Sequence, residues 1–148
     1  MSEKAAGREK KIRTRREERK QAFYLLFEQI FQKDDMSLIM KDAVDARDAE
    51  IGEYTRKLVS GVEEKNSVLD EHISSKLKGW KMNRISKVAL TVLRIAVYEM
   101  LYVDDVPVSV SINEAVELTK EFATPSDASF VNGVLGSVAK ELETGGEK

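Results

Sequence analysis

Apolar positions recur along most of this chain at the three- and four-residue spacing of helices, and one stretch does so on two sides at once. Within residues 85–102, Ile85, Val88, Ala89, Val92, Ile95, Ala96 and Met100 make one stripe, and Leu90, Leu93, Val97 and Leu101 make a second. A helix that is apolar nearly all round has to be enclosed by other helices. Lys87, Arg94 and Glu99 interrupt it. Each charge near a bilayer centre costs roughly 2.5–3.5 kcal/mol, which argues against a membrane span. The pattern predicts the central helix of a helical bundle.

The flanking segments supply the rest of that bundle. A first helix is predicted from Thr14, where Thr14 and Glu17 have the spacing of a capping box, and Ala22, Phe23, Leu26, Phe27, Ile30 and Phe31 form its inner face. Its first turns precede that face and should protrude, with Arg15, Arg16 and Arg19 exposed. Asp34 and Asp35 end the run. A weaker helix over residues 36–46 places Leu38, Ile39, Ala43 and Ala46 inward. From Glu50 a longer helical pattern passes through Tyr54, Leu58, Val62, Leu69 and Ile73, and Asn66-Ser67 leaves open whether it is one helix or two. Gly79 suits a helix C-terminus and marks the boundary between two halves, residues 13–79 and 80–143.

Beyond the central helix, Asp104-Asp105-Val106-Pro107 is a turn, and Ser111 to Glu114 reads as a capping box opening a helix that runs to Phe122. Thr124 and Pro125 are an N-cap and a first helical residue. The last helix buries Val131, Val134, Leu135, Val138 and Leu142. Gly133 inside it costs roughly 1 kcal/mol against alanine. That predicts another backbone passing close by, with Asn132 as a buried hydrogen-bonding residue. No strand-like alternation survives, so the expected fold is all-α, about seven helices.

Composition narrows the function classes. With 148 residues and 42% apolar content the chain supports one compact domain, or two subdomains sharing a core. The absence of cysteine excludes disulfides, a cysteine nucleophile and thiolate metal sites, and it fits a reducing compartment. The N-terminus lacks the apolar region of a secretory signal, so a cytoplasmic protein is expected. His72 is the only histidine, read as solvated in a polar stretch, and no phosphate loop or Ser-His-Asp set can be assembled. No catalytic residue, metal site or cofactor is assigned.

Charge is unevenly placed. Residues 1–20 hold nine Lys/Arg against four acids, a net of +5, and the remainder carries −7. A basic arm on an acidic body is the footprint of a polyanion binder, or of a solvated tail. Residues 1–12 lack an apolar pattern and read as a flexible arm. Arg94 on so apolar a helix calls for a partner, because a lone buried charge is costly. A carboxylate or helix-end carbonyls across the bundle would serve, and Glu114 qualifies only if it is free of its cap. Glu99, close by on the same helix, is read with it as structural.

Four blocks in the second half occur in order and close together: Leu93-Arg94-Ile95-Ala96-Val97-Tyr98-Glu99-Met100, Asp105-Val106-Pro107, Ile112-Asn113-Glu114-Ala115-Val116-Glu117-Leu118, and Phe130-Val131-Asn132-Gly133-Val134-Leu135. With Gln21-Ala22-Phe23-Tyr24 behind a basic arm, the chain resembles the NusB family of bacterial transcription antitermination factors over roughly residues 13–142. The resemblance implies two packed helical bundles and no enzymatic activity. It also implies binding of boxA-type single-stranded RNA together with NusE, a small-subunit ribosomal protein, and loading onto RNA polymerase. It leaves a homodimer that masks the RNA surface open beside a monomer. Ala89-Leu90 departs from an acidic–basic pair common in the family, so one polar contact near RNA and NusE is expected to be missing.

For RNA the arm is the leading candidate, since cations on phosphates release counterions and arginine adds bidentate contacts and stacking. Arg13, Arg15, Arg16 and Arg19 form the centre of that patch, flanked by Lys10, Lys11 and Lys20, with Gln21 a weaker member. Tyr24 by itself reads as a residue on the bundle rim; the resemblance makes it a base contact. Phe130, at helical spacing from Val134, reads first as core. By the resemblance Phe130 and the nearby Ser126 and Asp127 are RNA contacts. The rival reading is a helical protein-interaction module whose arm is a solvated tail.

Overall fold

The computed structural model describes residues 13–47 and 49–145. Seven α-helices follow one another among them: α1 (Arg15–Gln32), α2 (Met36–Arg47), α3 (Glu53–Glu64), α4 (Asn66–Ser74), α5 (Lys87–Tyr102), α6 (Val108–Phe122) and α7 (Pro125–Gly145). A 3-10 turn, Met82–Arg84, lies between α4 and α5. No strand occurs among the described residues, and no helix there is long and apolar enough to cross a membrane. The arm predicted at residues 1–12 lies outside the described residues.

Three of the seven helices start on caps written locally. Thr14 Oγ1 accepts from the Glu17 amide at 3.0 Å and the Glu17 carboxylate accepts from the Thr14 amide at 3.0 Å, a complete capping box. Ser86 Oγ accepts from the Ala89 amide at the start of α5, and Thr124 Oγ1 from the Asp127 amide at the start of α7. Helix α3 begins differently. Its N-cap, Gly52, has no side chain to offer, and the cap arrives from α1: Glu18 Oε1 accepts from the amides of Tyr54 at 2.7 Å and Thr55 at 3.1 Å. A carboxylate there satisfies two orphan donors and faces the positive end of the helix. A Cβ on Gly52 would overlap the Glu18 carboxylate, so a larger residue here would have to displace the cap.

Helices α3 and α4 are separate, and the break falls at Lys65 rather than at Ser67. The predicted start of α6 at Ser111 is a correction: the helix begins a turn earlier, behind Pro107, and Ser111 is buried within it. The preset φ of proline makes Pro107 a ready helix entry.

Helix α5 packs against α1, α3, α4, α6 and α7. Its Ala89, Leu93 and Val97 are inaccessible, and one continuous apolar cluster runs from Ala22 and Phe23 through α5 to Val138 and Leu142. At about 1.5–3 kcal/mol for each large aliphatic side chain removed from water, that shared core holds the two halves together. The close approach occurs at Gly61 of α3, where an added Cβ would overlap the ring of Tyr98.

Two expectations for α7 are overturned. Gly133 is exposed with open space around it, and Asn132 is exposed as well. The buried face of α7 is Val131, Val134, Leu135 and Val138, which leaves 132 and 133 on the solvent side. Leu38 and Ala46 likewise face outward from α2, whose buried residues are Met36, Ile39 and Ala43.

Candidate nucleic-acid interface

The site expected around the first helix is built on α1, and the structure divides its residues sharply. Arg19 is not on the surface. At residue 19 the helix has already turned its inner face to the core, and the guanidinium donates from Nε to Glu99 Oε2 at 2.7 Å with both side chains almost inaccessible. Glu99 also accepts from the Tyr54 hydroxyl and, at 2.9 Å, from the Ser111 hydroxyl. One carboxylate on α5 therefore ties α1, α3 and α6 together. Burial first, and the bond to Glu99 second, push the Tyr54 phenol above its ordinary value. Ser111 is used as a donor to a buried anion, which is why it does not cap α6.

The remaining described cations of α1 and its lead-in sit against carboxylates or carbonyls of the same chain. Arg16 makes a bidentate pair with Glu114 at 2.9 and 2.7 Å, and Lys20 reaches Glu121 at 2.7 Å. Arg15 lies 3.3 Å from Asp105 with its guanidinium 3.9 Å above the Tyr54 ring. Arg13 donates to the Glu50 carbonyl at 2.6 Å and to Gln21 at 3.3 Å. Gln21 also donates to that carbonyl and accepts from the Gly52 amide, so it braces the entry to α3. The Arg16 hydrogen bond holds the Glu114 carboxyl below its ordinary range, and Glu121 raises Lys20. Glu114 is thus the partner of Arg16. Arg94 pairs instead with Asp70 of α4, bidentate at 2.8 and 2.9 Å. Lys10 and Lys11 lie outside the described residues.

Tyr24 is half exposed, on the solvent side of α1. Its ring meets the edge of Phe122 at 5.5 Å, and Phe122 stacks on Phe23 at 5.0 Å, so the exposed tyrosine stands on a buried aromatic footing. Its hydroxyl bonds to no described residue, and a cavity of about 420 Å³ beside it is lined by Gln21, Tyr24, Glu28 and Arg47 among others. Only Ala123 and Thr124 separate α6 from α7, which starts at Pro125 as the capping pattern predicts. Ser126 is exposed on the first turn of α7 and Asp127 is half-buried. Phe130 is half-buried against Trp80, with ring centroids 5.9 Å apart. Ala89 is inaccessible and Leu90 half-buried. His72 is half-buried between α4 and α7, its Nδ1 3.6 Å from Glu141.

Trp80 is exposed in a stretch, residues 72–98, that contains no Asp or Glu and six Lys/Arg.

The NusB family pattern matches residues 16–140. The transcription antitermination protein NusB of Bacillus velezensis is 43% identical over 136 residues, covering 90% of this chain and 99% of that protein. Among solved structures, NusB of T. maritima superposes with a TM-score of 0.79 at 34% identity, covering 88% of this chain and 94% of that one. A NusB chain crystallised with NusE and double-stranded RNA shares the fold, with a TM-score of 0.76 at 24% identity over 86% of this chain and 96% of that one. From its helical order, its shared core and these matches, the chain belongs to the NusB family of transcription antitermination proteins.

Proposed function

We propose that this protein is a non-enzymatic adaptor of transcription antitermination that binds boxA-type single-stranded RNA together with NusE and carries the assembly to RNA polymerase. The observation that carries this reading is the exposed Tyr24, set on Phe122 and preceded by Arg13, Arg15, Arg16 and Lys20 on α1 and its lead-in, in a chain of this family. A relative of the same fold was crystallised with NusE and RNA, which supports the choice of partners. The tyrosine face offers a base a stacking surface, and the cations offer phosphates charge. Work on nascent transcripts implies a cytoplasmic protein.

The ion pairs of α1 shape the mechanism. A phosphate that takes Arg16 or Lys20 displaces Glu114 or Glu121, so the exchange trades one anion for another. Affinity from this side is modest and salt-sensitive, and a second protein bound beside it would raise it through effective concentration. The test is a gel-shift titration with boxA-type RNA, with and without NusE, on the parent and on a variant with Arg13, Arg15 and Arg16 reversed to Glu. The parent is expected to shift the RNA, more strongly with NusE, and the variant to lose binding while keeping its helical circular dichroism. The self-paired cations favour one rival, an interaction module that leaves RNA alone. No shift in either lane would establish it.

A further inference from the structure

Residues 75–86 join α4 to α5, and the segment from Lys78 to Lys87 carries positive charge that has no anion to answer it. Of the six cations in the acid-free stretch, Arg94 is paired with Asp70 and Lys76 lies 3.4 Å from Glu141. The side chains of Lys78, Lys81, Arg84 and Lys87 are exposed and form no hydrogen bond or ion pair with any described residue. Trp80 stands among them, 57% exposed, beside a concavity of about 370 Å³ lined by Gly79, Trp80, Lys81 and Arg84. The backbone that presents it is unusual: Lys78 and Gly79 have φ of 41° and 92°. Crowding of Cβ disfavours that region for lysine, and strained backbone of this kind gathers at ligand sites.

We propose that this connection is a second contact for single-stranded RNA, with Trp80 as a stacking platform and Lys78, Lys81, Arg84 and Lys87 meeting phosphates. The inference rests on the RNA-binding reading above and extends it to a surface outside α1. Stacking on an aromatic face accepts any base, and cations free of carboxylates give the whole counterion release to an incoming strand. A protein partner would find little apolar area here, because the concavity beside the one exposed indole is otherwise lined by Gly79 and by the cations Lys81 and Arg84. Continuity supports a single strand over both surfaces. Tyr24 touches Phe122, Phe122 and Phe130 bracket the turn between α6 and α7, and Phe130 touches Trp80.

Trp80 is the only tryptophan, so its fluorescence reports on this surface alone. The full chain is titrated with boxA-type RNA bearing single-stranded flanks on both sides, in parallel with a triple variant, Lys81→Gln, Arg84→Gln and Lys87→Gln. RNA is expected to quench the parent's emission. The variant, melting like the parent, is expected to bind roughly tenfold or more weakly at low salt, with the log–log salt slope reduced by about 2. Unchanged emission in the parent at saturating RNA, or parental affinity in the variant, overturns the inference. If the arm variant loses binding while this variant keeps it, only the second contact fails. A parent that binds no RNA removes both readings. Quenching by NusE and not by RNA assigns the surface to protein and overturns the proposal.

Discussion

Two groups of cations lie on this molecule, and they have opposite relations to the rest of it. Those of α1 and its lead-in are engaged: Arg19 with Glu99 in the core, Arg16 with Glu114, Lys20 with Glu121, Arg15 with Asp105. Those of the segment from Lys78 to Lys87 (Lys78, Lys81, Arg84 and Lys87) answer to no described residue. The number of basic residues in a segment is therefore a poor measure of the charge it offers a ligand. Helix α1 packs on α3 and α5 and reaches acids of α6 through its side chains, so its cations serve as fasteners as well as contacts. The connection before α5 has no acid nearby in sequence, and its four cations are exposed on either side of a left-handed turn at Lys78 and Gly79.

The contrast between engaged and free positions can be broken by substitution, and Arg19 gives the largest effect. Arg19→Met leaves the Glu99 carboxylate buried without its cation and is expected to cost about 3–5 kcal/mol in denaturant unfolding, whereas Arg84→Met should stay within about 0.5 kcal/mol. Equal losses in the two would erase the distinction. Glycines carry the same contrast at smaller scale. Gly61→Ala presses on the Tyr98 ring and should destabilise by about 1–3 kcal/mol, while Gly133→Ala, in open solvent on a helix, should stabilise by about 0.5–1 kcal/mol. Thermal melts of the pair read both signs.

Glu114→Gln gives the smallest effect. It frees Arg16 from a solvent-screened pair, so RNA affinity should rise no more than about fivefold. The same change alters the acid limb of stability. With its folded pKa depressed, Glu114 contributes stability above the ordinary carboxylate range and loses it as pH falls through the folded value. The glutamine variant should lack that part of the acid-side decline, and an unfolding series across the acid range checks it.

Periodicity and capping made the helices legible, since both depend on neighbours within one or two turns. Thr14 and Thr124 cap where a local signal places them. The misreadings have a common origin in distant partners. Ser111 looks like a cap until Glu99, on another helix, claims its hydroxyl. Gly133 looks like a contact point, but which side of α7 is covered is decided by α5 and α6. Arg19 was readable and passed over: it precedes Ala22 by three residues and Phe23 by four, so the inner stripe of α1 already included it. Among the arm residues only their type was visible, and the acids that neutralise them come from about 90 to 100 positions away.

The cap that Glu18 lends to α3 couples the order of two helices. At 12 residues α3 is short enough to be marginal alone, and with glycine at its N-cap it has no local means of starting. Its first amides find an acceptor only when α1 is already docked. The two helices therefore form one cooperative unit that opens and closes together. Lifting α1 from the body exposes its arginines and also unravels the start of α3, so the face that meets a polyanion moves only as part of the fold.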